Sequence, residues 1–395
     1  MKKIQTFFLT MGVVSTFVVY AHPAIYDLNS KQLHIPEVEI PIADTSRPSV
    51  YEVDMQQGDN PLVLEFTVTN ATLLGKDGPF LRGIKERGSL LCGGRTDLPG
   101  FAYICPDGRN CGFDIDLCRA VAAAALNSQI GPITFVPVPT AEKEEILRKG
   151  DVDILSRNTT WTSSRDIGWG NFTWIMFYDG QSFMVRKDSG ITEVTHLNGK
   201  SICVVQETTT YDHLIDYFAR HSLEFTPIFA SETSELMPLY TSGECDAVTT
   251  DRSGLAARRA GLDDRASHKI LDDVISKEPL TPVVPHGDEQ WFNIVKIVMF
   301  ALINAEELNI TKDNVDVMMN SDDPEVKRLL GVENSFGQEE LGLEKDAIAQ
   351  AIRAVGNYGD IYDRHFGPNG IDIPRQNSLN ELGINGGLIY APPMR

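Results

Sequence analysis

An arginine behind a run of short hydroxyl side chains is the first place where residue types suggest chemistry. From Asp153 the chain reads Asp-Ile-Leu-Ser-Arg-Asn-Thr-Thr-Trp-Thr-Ser-Ser-Arg-Asp, ending at Asp166. A buried strand over 152–155 would deliver Asn158, Thr160 and Arg165 to its end. Thr162 is a suitable helix cap, so free N–H groups should point ahead of it. Such donors, two polar side chains and a guanidinium suit a carboxylate, because an Arg grips both oxygens with charge-assisted bonds. The same spacing also suits a capped surface helix with a solvent-facing Arg. Further on, Thr208-Thr209-Thr210 directly follow a strand over 202–205, placing hydroxyls where a helix begins. Asp251 follows a strand over 247–250. A carboxylate at the C-terminal end of a parallel strand faces the cleft of an open α/β sheet, and it matches the three donors of an ammonium. An isolated Asp here also reads as a helix cap. One unit holding a carboxylate and another an ammonium would be a physical means of domain closure.

The elements that must position these residues fall into two rhythms. Residues 22–80 alternate apolar with polar side chains at period two around Leu33, Val38 and 62–68, broken by Pro, Gly, Asn and Ser. This reads as a small all-β module, joined by a linker around 76–82. It carries no nucleophile motif and leaves room for an added partner or a surface-attachment role. After Gly83, strands alternate with helices: a strand at 89–92, a helix over 114–125, a strand over 133–138, a helix over 141–149 and a strand over 152–155. A second series runs from 201 past 250, followed by a long amphipathic helix over 290–307 and a mainly helical remainder. Two α/β units with mostly parallel sheets would leave a cleft between them.

Composition narrows the partners. Acidic residues outnumber basic ones 55 to 35, for a formal net charge of −20. Such a surface repels phosphate backbones and anionic lipid, so no nucleic acid is expected. Lys2, Lys3 and an apolar stretch from Phe7 to Tyr20, with Val19 and Ala21 before a plausible cut, read as a secretory signal peptide over 1–21. Six cysteines in an exported chain read as three disulfides. Cys105 and Cys111 flank a turn-rich tip, Cys92 ends a strand before the helix that carries Cys118, and Cys203 and Cys245 lie on or before neighbouring strands. The pairing favoured is therefore 92–118, 105–111 and 203–245, against free buried thiols. No Cys-x-x-Cys pair occurs and the eight His residues are scattered, so neither metal nor cofactor is expected.

Longer stretches carry a resemblance. They are Leu98-Pro99-Gly100-Phe101, Gly112 to Ala120, Ser156 to Asp166, Thr249 to Leu255, Ile275 to Leu280, Phe300 to Glu307, and Tyr390-Ala391-Pro392-Pro393. On these, residues from about 85 to 395 resemble the family 3 extracellular solute-binding proteins, and within them the general L-amino-acid-binding proteins of ABC transporters. The resemblance implies an α/β, two-lobed periplasmic binding protein of the type II, Venus-flytrap kind, following the small β module. Hinge crossings near Arg186 and Thr281 would give one lobe over 81–185 and 282–395 and another over 186–281. It implies a monomer in the periplasm that captures free L-amino acids for the permease subunits of an ABC importer. Position by position, Arg165 would hold the ligand carboxylate, Thr160 and Thr209 (beside Thr208) would supply hydroxyls, and Asp251 would hold the ammonium. Asn158 stands where relatives often have Ser. Cys92 with Cys118, and Cys203 with Cys245, match cysteines of the amino-acid subgroup.

There are departures from the pattern. Glu207 stands where Gly is common before the paired threonines. Arg95, with Asp97 nearby, lies in the first cleft loop and would either bind an acidic ligand side chain or neutralise Glu207 or Asp97; the pairing is favoured. Two other readings compete: a periplasmic enzyme on the same fold, dehydratase-like, and a ligand-sensing or adhesion module. No Gly-x-Ser-x-Gly, His-Glu-x-x-His or P-loop pattern occurs, so an enzyme is not expected.

Overall fold

Alternation at period two builds the first unit. A computed structural model describes residues 25–27, 32–40, 49–57, 66–75 and 77–395 except 335. The expected signal peptide lies outside the described residues. Strands Ile25–Asp27, Gln32–Ile40, Ser49–Gln57 and Phe66–Gly75 pair consecutively and antiparallel in one four-stranded sheet. The strand sought over 62–68 is described only from Phe66, and it continues to Gly75. Where a linker was expected around 76–82, the chain forms the helix Pro79–Arg87. Pro at its first position and Lys85 and Arg87 in its last turn favour a helix there, and Gly88, at φ +68°, suits its end. The strands before residue 76 belong to one compact unit, and Gly83–Gln338 with Leu343–Arg395 to another.

The second unit contains two five-stranded sheets of the same plan. In the first, Ile133–Pro137, Leu90–Gly94 and Ile154–Leu155 run parallel, Val283–Val284 lies antiparallel beside them, and Asn171–Phe172, antiparallel to Val283–Val284, points the same way as the first three. In the second, Phe225–Ala230, Lys200–Val205 and Ala247–Asp251 run parallel, Gln181–Arg186 lies antiparallel beside them, and His268–Ile270, antiparallel to Gln181–Arg186, points the same way as the first three. Each sheet is thus mostly parallel, as the strand–helix rhythm implies, and the chain that crosses between lobes returns as its one reversed strand, Val283–Val284 in the first and Gln181–Arg186 in the second. The crossings pair with one another: Phe177–Asp179 lies antiparallel to Glu278–Leu280. The first crossing therefore falls before Gln181, not near Arg186, since Gln181–Arg186 is already a strand of the second sheet.

Helices cover both sheets. Phe113–Ala125 is buried along nearly its whole length, its alanines permitting close approach to neighbouring elements. It starts at Gly112, whose φ of +128° and 2.0 Å approach of a would-be Cβ to the Phe101 carbonyl exclude any other residue. Around it, Phe101, Phe113, Phe177 and Phe366 pack edge-on or tilted, with ring centroids 4.8–6.5 Å apart. The helix expected over 290–307 is Glu289–Glu307; most of it is buried, so it behaves as a core helix more than an amphipathic one. Cysteines are bonded as Cys92–Cys118, Cys105–Cys111 and Cys203–Cys245. The first and third join a strand to the covering helix or the loop beside the next strand. No helix among the described residues is long and apolar enough to cross a membrane.

Candidate functional site

Between the two lobes lies a cleft, and its wall is built from the ends of parallel strands. On the first lobe the strand Ile154–Leu155 runs into a turn in which Asn158 has φ +35°. Asp114 holds that turn: its carboxyl accepts from Asn158 N (2.8 Å) and Ser156 Oγ (3.2 Å). Burial raises the Asp114 pKa to about 7, against the pull of these bonds. Thr162 then caps the helix Ser163–Gly168, accepting from Arg165 N at 3.3 Å.

That cap orients Arg165 inward. Its side chain is 7 % exposed, donates to the Thr160 carbonyl (3.1 Å) and stacks 4.5 Å from the Trp169 ring. Burial lowers its pKa, partly offset by Glu278 and Asp251. On the second lobe Thr208 caps the helix Thr209–Arg220, accepting from Tyr211 N (3.4 Å) and donating to the Val205 carbonyl (2.8 Å). Thr208 and Thr209 both line the cleft. Asp251 occupies the N-cap position of the helix Arg252–Ala260, but its side chain makes no cap bond. Instead the buried carboxyl meets Asn158 Nδ2 of the opposite lobe at 3.5 Å. Burial, then Glu278 and Asp179, push its pKa well up. An ammonium placed against Asp251 would relieve that strain and return it to the charged form.

All eight expected ligand residues lie at or beside this cleft, with two adjustments. The Thr160 hydroxyl donates to Glu278 Oε2 (2.5 Å), so toward a ligand it is an acceptor, better matched to an ammonium than to a carboxylate. Arg95 forks onto Asp97, Nε to Oδ1 at 2.7 Å and Nη2 to Oδ2 at 2.9 Å. Burial would raise Asp97, yet this fork holds it at about 2. Arg95 also donates to Asn158 Oδ1 (3.2 Å) and to Thr233 across the cleft. Glu207 is exposed and not among the lining residues.

Sequence reasoning missed several groups. Glu278, 1 % exposed, collects Thr160, Ser276 Oγ (2.5 Å) and His213 Nδ1 (2.9 Å) where the lobes cross. Burial would raise its pKa, but these bonds, His213 first, keep it low. Because Glu278 gathers three partners and Asp251 one weak one, Glu278 retains the charge and Asp251 gives way. Glu232 accepts from Thr140 N (2.8 Å) and Oγ1 (2.6 Å), again lobe to lobe. Lys143 and Arg157 add two buried cations. Lys143 sits four residues before Leu147 on the inward face of its helix, a position where the helical period calls for an apolar residue; that mismatch is the one sequence signal for it.

Known proteins resemble this chain over most of its length. Residues 90–368 match the model of the bacterial extracellular solute-binding proteins, family 3. The chain is 44 % identical over 318 residues to the general L-amino acid-binding periplasmic protein AapJ of Rhizobium johnstonii, covering 80 % of this chain and 92 % of that one. It is 42 % identical to the glutamate/glutamine/aspartate/asparagine-binding protein BztA of Rhodobacter capsulatus, over 80 % of this chain and 93 % of that one. Among solved structures, an ABC transporter periplasmic binding protein from Brucella ovis with glutathione bound superposes with a TM-score of 0.76 at 42 % identity, covering 80 % of this chain and 99 % of that one. With the fold, the cleft and these matches together, the chain belongs to the family 3 bacterial extracellular solute-binding proteins.

Proposed function

We propose that this protein is a periplasmic receptor that captures L-amino acids between its two lobes and delivers them, as a monomer, to the permease subunits of an ABC importer. The observation that carries the reading is the pair Arg165 and Asp251: a buried guanidinium on one lobe and a buried, uncapped carboxyl on the other, facing one cleft. Arg165 would take the α-carboxylate, while Asp251 and the Thr160 hydroxyl oxygen would take the α-ammonium. The free N–H groups at the start of Thr209–Arg220 would complete the anion site. The names of the relatives, amino-acid-binding proteins of transporters, support the same ligand class and a periplasmic location. They also support binding without turnover. Conversion of a prephenate-like acid by the purified protein, with no amino acid bound, would overturn that.

The test is a thermal-shift screen of the twenty amino acids. At a ligand concentration near 100 times Kd, binding should stabilise by about 2.7 kcal/mol. Arg165→Ala and Asp251→Ala should each abolish the shift. A full shift in either variant removes that residue from the site.

A further inference from the structure

Away from the cleft, one concave region reverses the overall sign of the protein. A pocket of about 430 Å³ on the first lobe shares no lining residue with the cleft. Its volume lies within the usual range for small-molecule sites. Arg109, Arg119, Lys312, Arg364 and His365 line it against a single acid, Asp116. Four permanent cations around one carboxylate stand out in a chain with 55 acidic and 35 basic residues. Separate stretches of chain bring them together. Arg119 lies on Phe113–Ala125, Arg364 and His365 on the helix Tyr358–Phe366, and Lys312 in the loop after Glu289–Glu307. Arg109 sits on a hairpin tip stapled by Cys105–Cys111.

The charges around this pocket do not cancel. Asp116 is buried and fully used: Oδ1 accepts from Arg119 Nη1 (3.1 Å), and Oδ2 from His365 Nε2 (2.7 Å) and from Arg364. Burial would raise its pKa, but His365 first, then Arg364 and Arg119, hold it below the usual carboxylate range. Other bonds go to carbonyls. Arg119 Nη2 donates to Asn110 O (2.9 Å), Lys312 Nζ to Ala354 O (2.8 Å) and Arg364 Nη2 to Val355 O (2.7 Å). The last two close the helix Ala347–Val355, whose C-terminus supplies only about half a negative charge. Arg109 is matched outside the pocket by Asp107 at 2.7 Å. Asp360, beside Lys312, turns its carboxyl to the backbone N–H groups of Lys312 (2.9 Å) and Asn357 (3.1 Å). Four cations less Asp116 and Asp107 leave an excess of about two positive charges. Arg119, Arg364 and Lys312 also keep N–H groups that no acceptor among the described residues takes.

We propose that this pocket is a second binding site, for a small multivalent oxyanion carrying two or more phosphate or carboxylate groups. Arg119 and Arg364 offer the planar N–H pairs that meet such groups two oxygens at a time, and Lys312 adds a point charge. The pocket is roomier than one tetrahedral oxyanion needs, and its excess charge matches an anion of at least two negative groups. The short Cys105–Cys111 loop then has a role, holding Arg109 at the rim. The site stands apart from the amino-acid reading of the cleft, and neither depends on the other.

Calorimetric titration of the full chain with inorganic phosphate, pyrophosphate and citrate, at constant ionic strength, tests this. Pyrophosphate or citrate should bind at least about tenfold more tightly than phosphate, the worth of one further charge-assisted bond. The tighter of the two identifies the anionic group preferred. Lys312→Gln should weaken that anion by about tenfold, and Arg119→Gln combined with it should abolish binding. Lys149→Gln, an exposed lysine outside the pocket, should change nothing. Arg165→Ala should also leave anion binding intact, because the cleft takes no part. Thermal shifts with amino acids, unchanged in the Lys312 and Arg119 variants, show that those proteins are folded. Pyrophosphate and citrate binding no better than phosphate overturns the proposal, as does an equal loss in Lys149→Gln, which would reflect net charge alone. Loss of the anion in Arg165→Ala places it in the cleft and overturns the second site. A tetraglutamate peptide that binds where pyrophosphate and citrate do not would replace the small anion with an acidic segment of a protein partner.

Discussion

Backbone conformation at Glu207 decides the stability of the turn before the Thr209–Arg220 helix. Glu207 has φ +54°, a left-handed conformation that costs a non-glycine residue about 1–2 kcal/mol. Glycine would remove that strain at an entropic cost of about 0.5–1 kcal/mol. The Glu carboxylate gives back something like 0.3–1 kcal/mol by lying near a helix N-terminus. The order of stability should therefore be Glu207→Gly at or slightly above wild type, and Glu207→Ala below both, since Ala keeps the strain and loses the charge. Urea denaturation of the three proteins checks this, and ligand affinity should stay unchanged because the side chain is exposed outside the cleft. At this scale the sequence was informative wherever polar residues clustered at a strand end, as at Asn158, Thr160 and Arg165. It was silent on Glu278, whose partners Thr160 and His213 are brought to it only by the crossing of the lobes. Arg95 and Asp97 are two residues apart, so their pairing could be anticipated.

Asp114 shows how an element is pinned by a single buried acid. It lies on the Phe113–Ala125 helix and fixes the turn that presents Asn158, so the site depends on it without contact to a ligand. Its pKa, raised from 3.8 to about 7, sets the sign of a pH dependence. Between those values the folded protein keeps a proton that the unfolded chain has released. The unfolded state then binds fewer protons, so this group's contribution to stability falls as pH rises from about 4 to 7. Asp114→Asn removes the titration while its amide still accepts from Asn158 N and donates to Ser156 Oγ. Relative to wild type, the Asn variant should gain about 2–4 kcal/mol on going from pH 4.5 to pH 8. Denaturation midpoints at the two pH values measure it, and a constant difference would show that Asp114 is ionised throughout. Elements of helical length were read correctly in kind, because Phe113–Ala125 and Glu289–Glu307 are long runs of apolar residues with neither Gly nor Pro, too long for a strand. The strands of two or three residues that complete the sheets, such as Val283–Val284 and His268–Ile270, are too short to carry a period of their own. Ser49–Gln57 did alternate, with Tyr51, Val53 and Met55 set against Glu52, Asp54 and Gln56, and is the one missed strand that could have been found.

In the two-lobed unit, capture requires the lobes to close, and the closed form carries its own ties. Two lobes were legible because the strand–helix rhythm occurs twice; the position of the first crossing was not, since Gln181–Arg186 reads the same in either sheet. The ties join residues far apart in the chain, Thr140 with Glu232, Arg95 with Thr233 and Asn158 with Asp251, so none could be read from spacing. Glu232 touches neither Arg165 nor Asp251. It takes two hydrogen bonds from Thr140, at 2.8 and 2.6 Å, and sits 3.9 Å from Arg157. Its side chain is 36 % exposed, so water weakens these bonds without replacing their geometry. A ligand that bridges both lobes binds only to the closed form, and its apparent Kd rises in proportion as that form is depopulated. Glu232→Ala should therefore weaken every ligand by about tenfold, or about 1.4 kcal/mol, mainly through faster release. Because the ties form only on closure, the melting temperature of the ligand-free variant should barely move if the free protein is mostly open. Stopped-flow release rates for glutamate and glutamine distinguish this from a ligand contact. A closure tie accelerates both by the same factor, whereas a loss confined to one ligand would make Glu232 part of that ligand's own contacts.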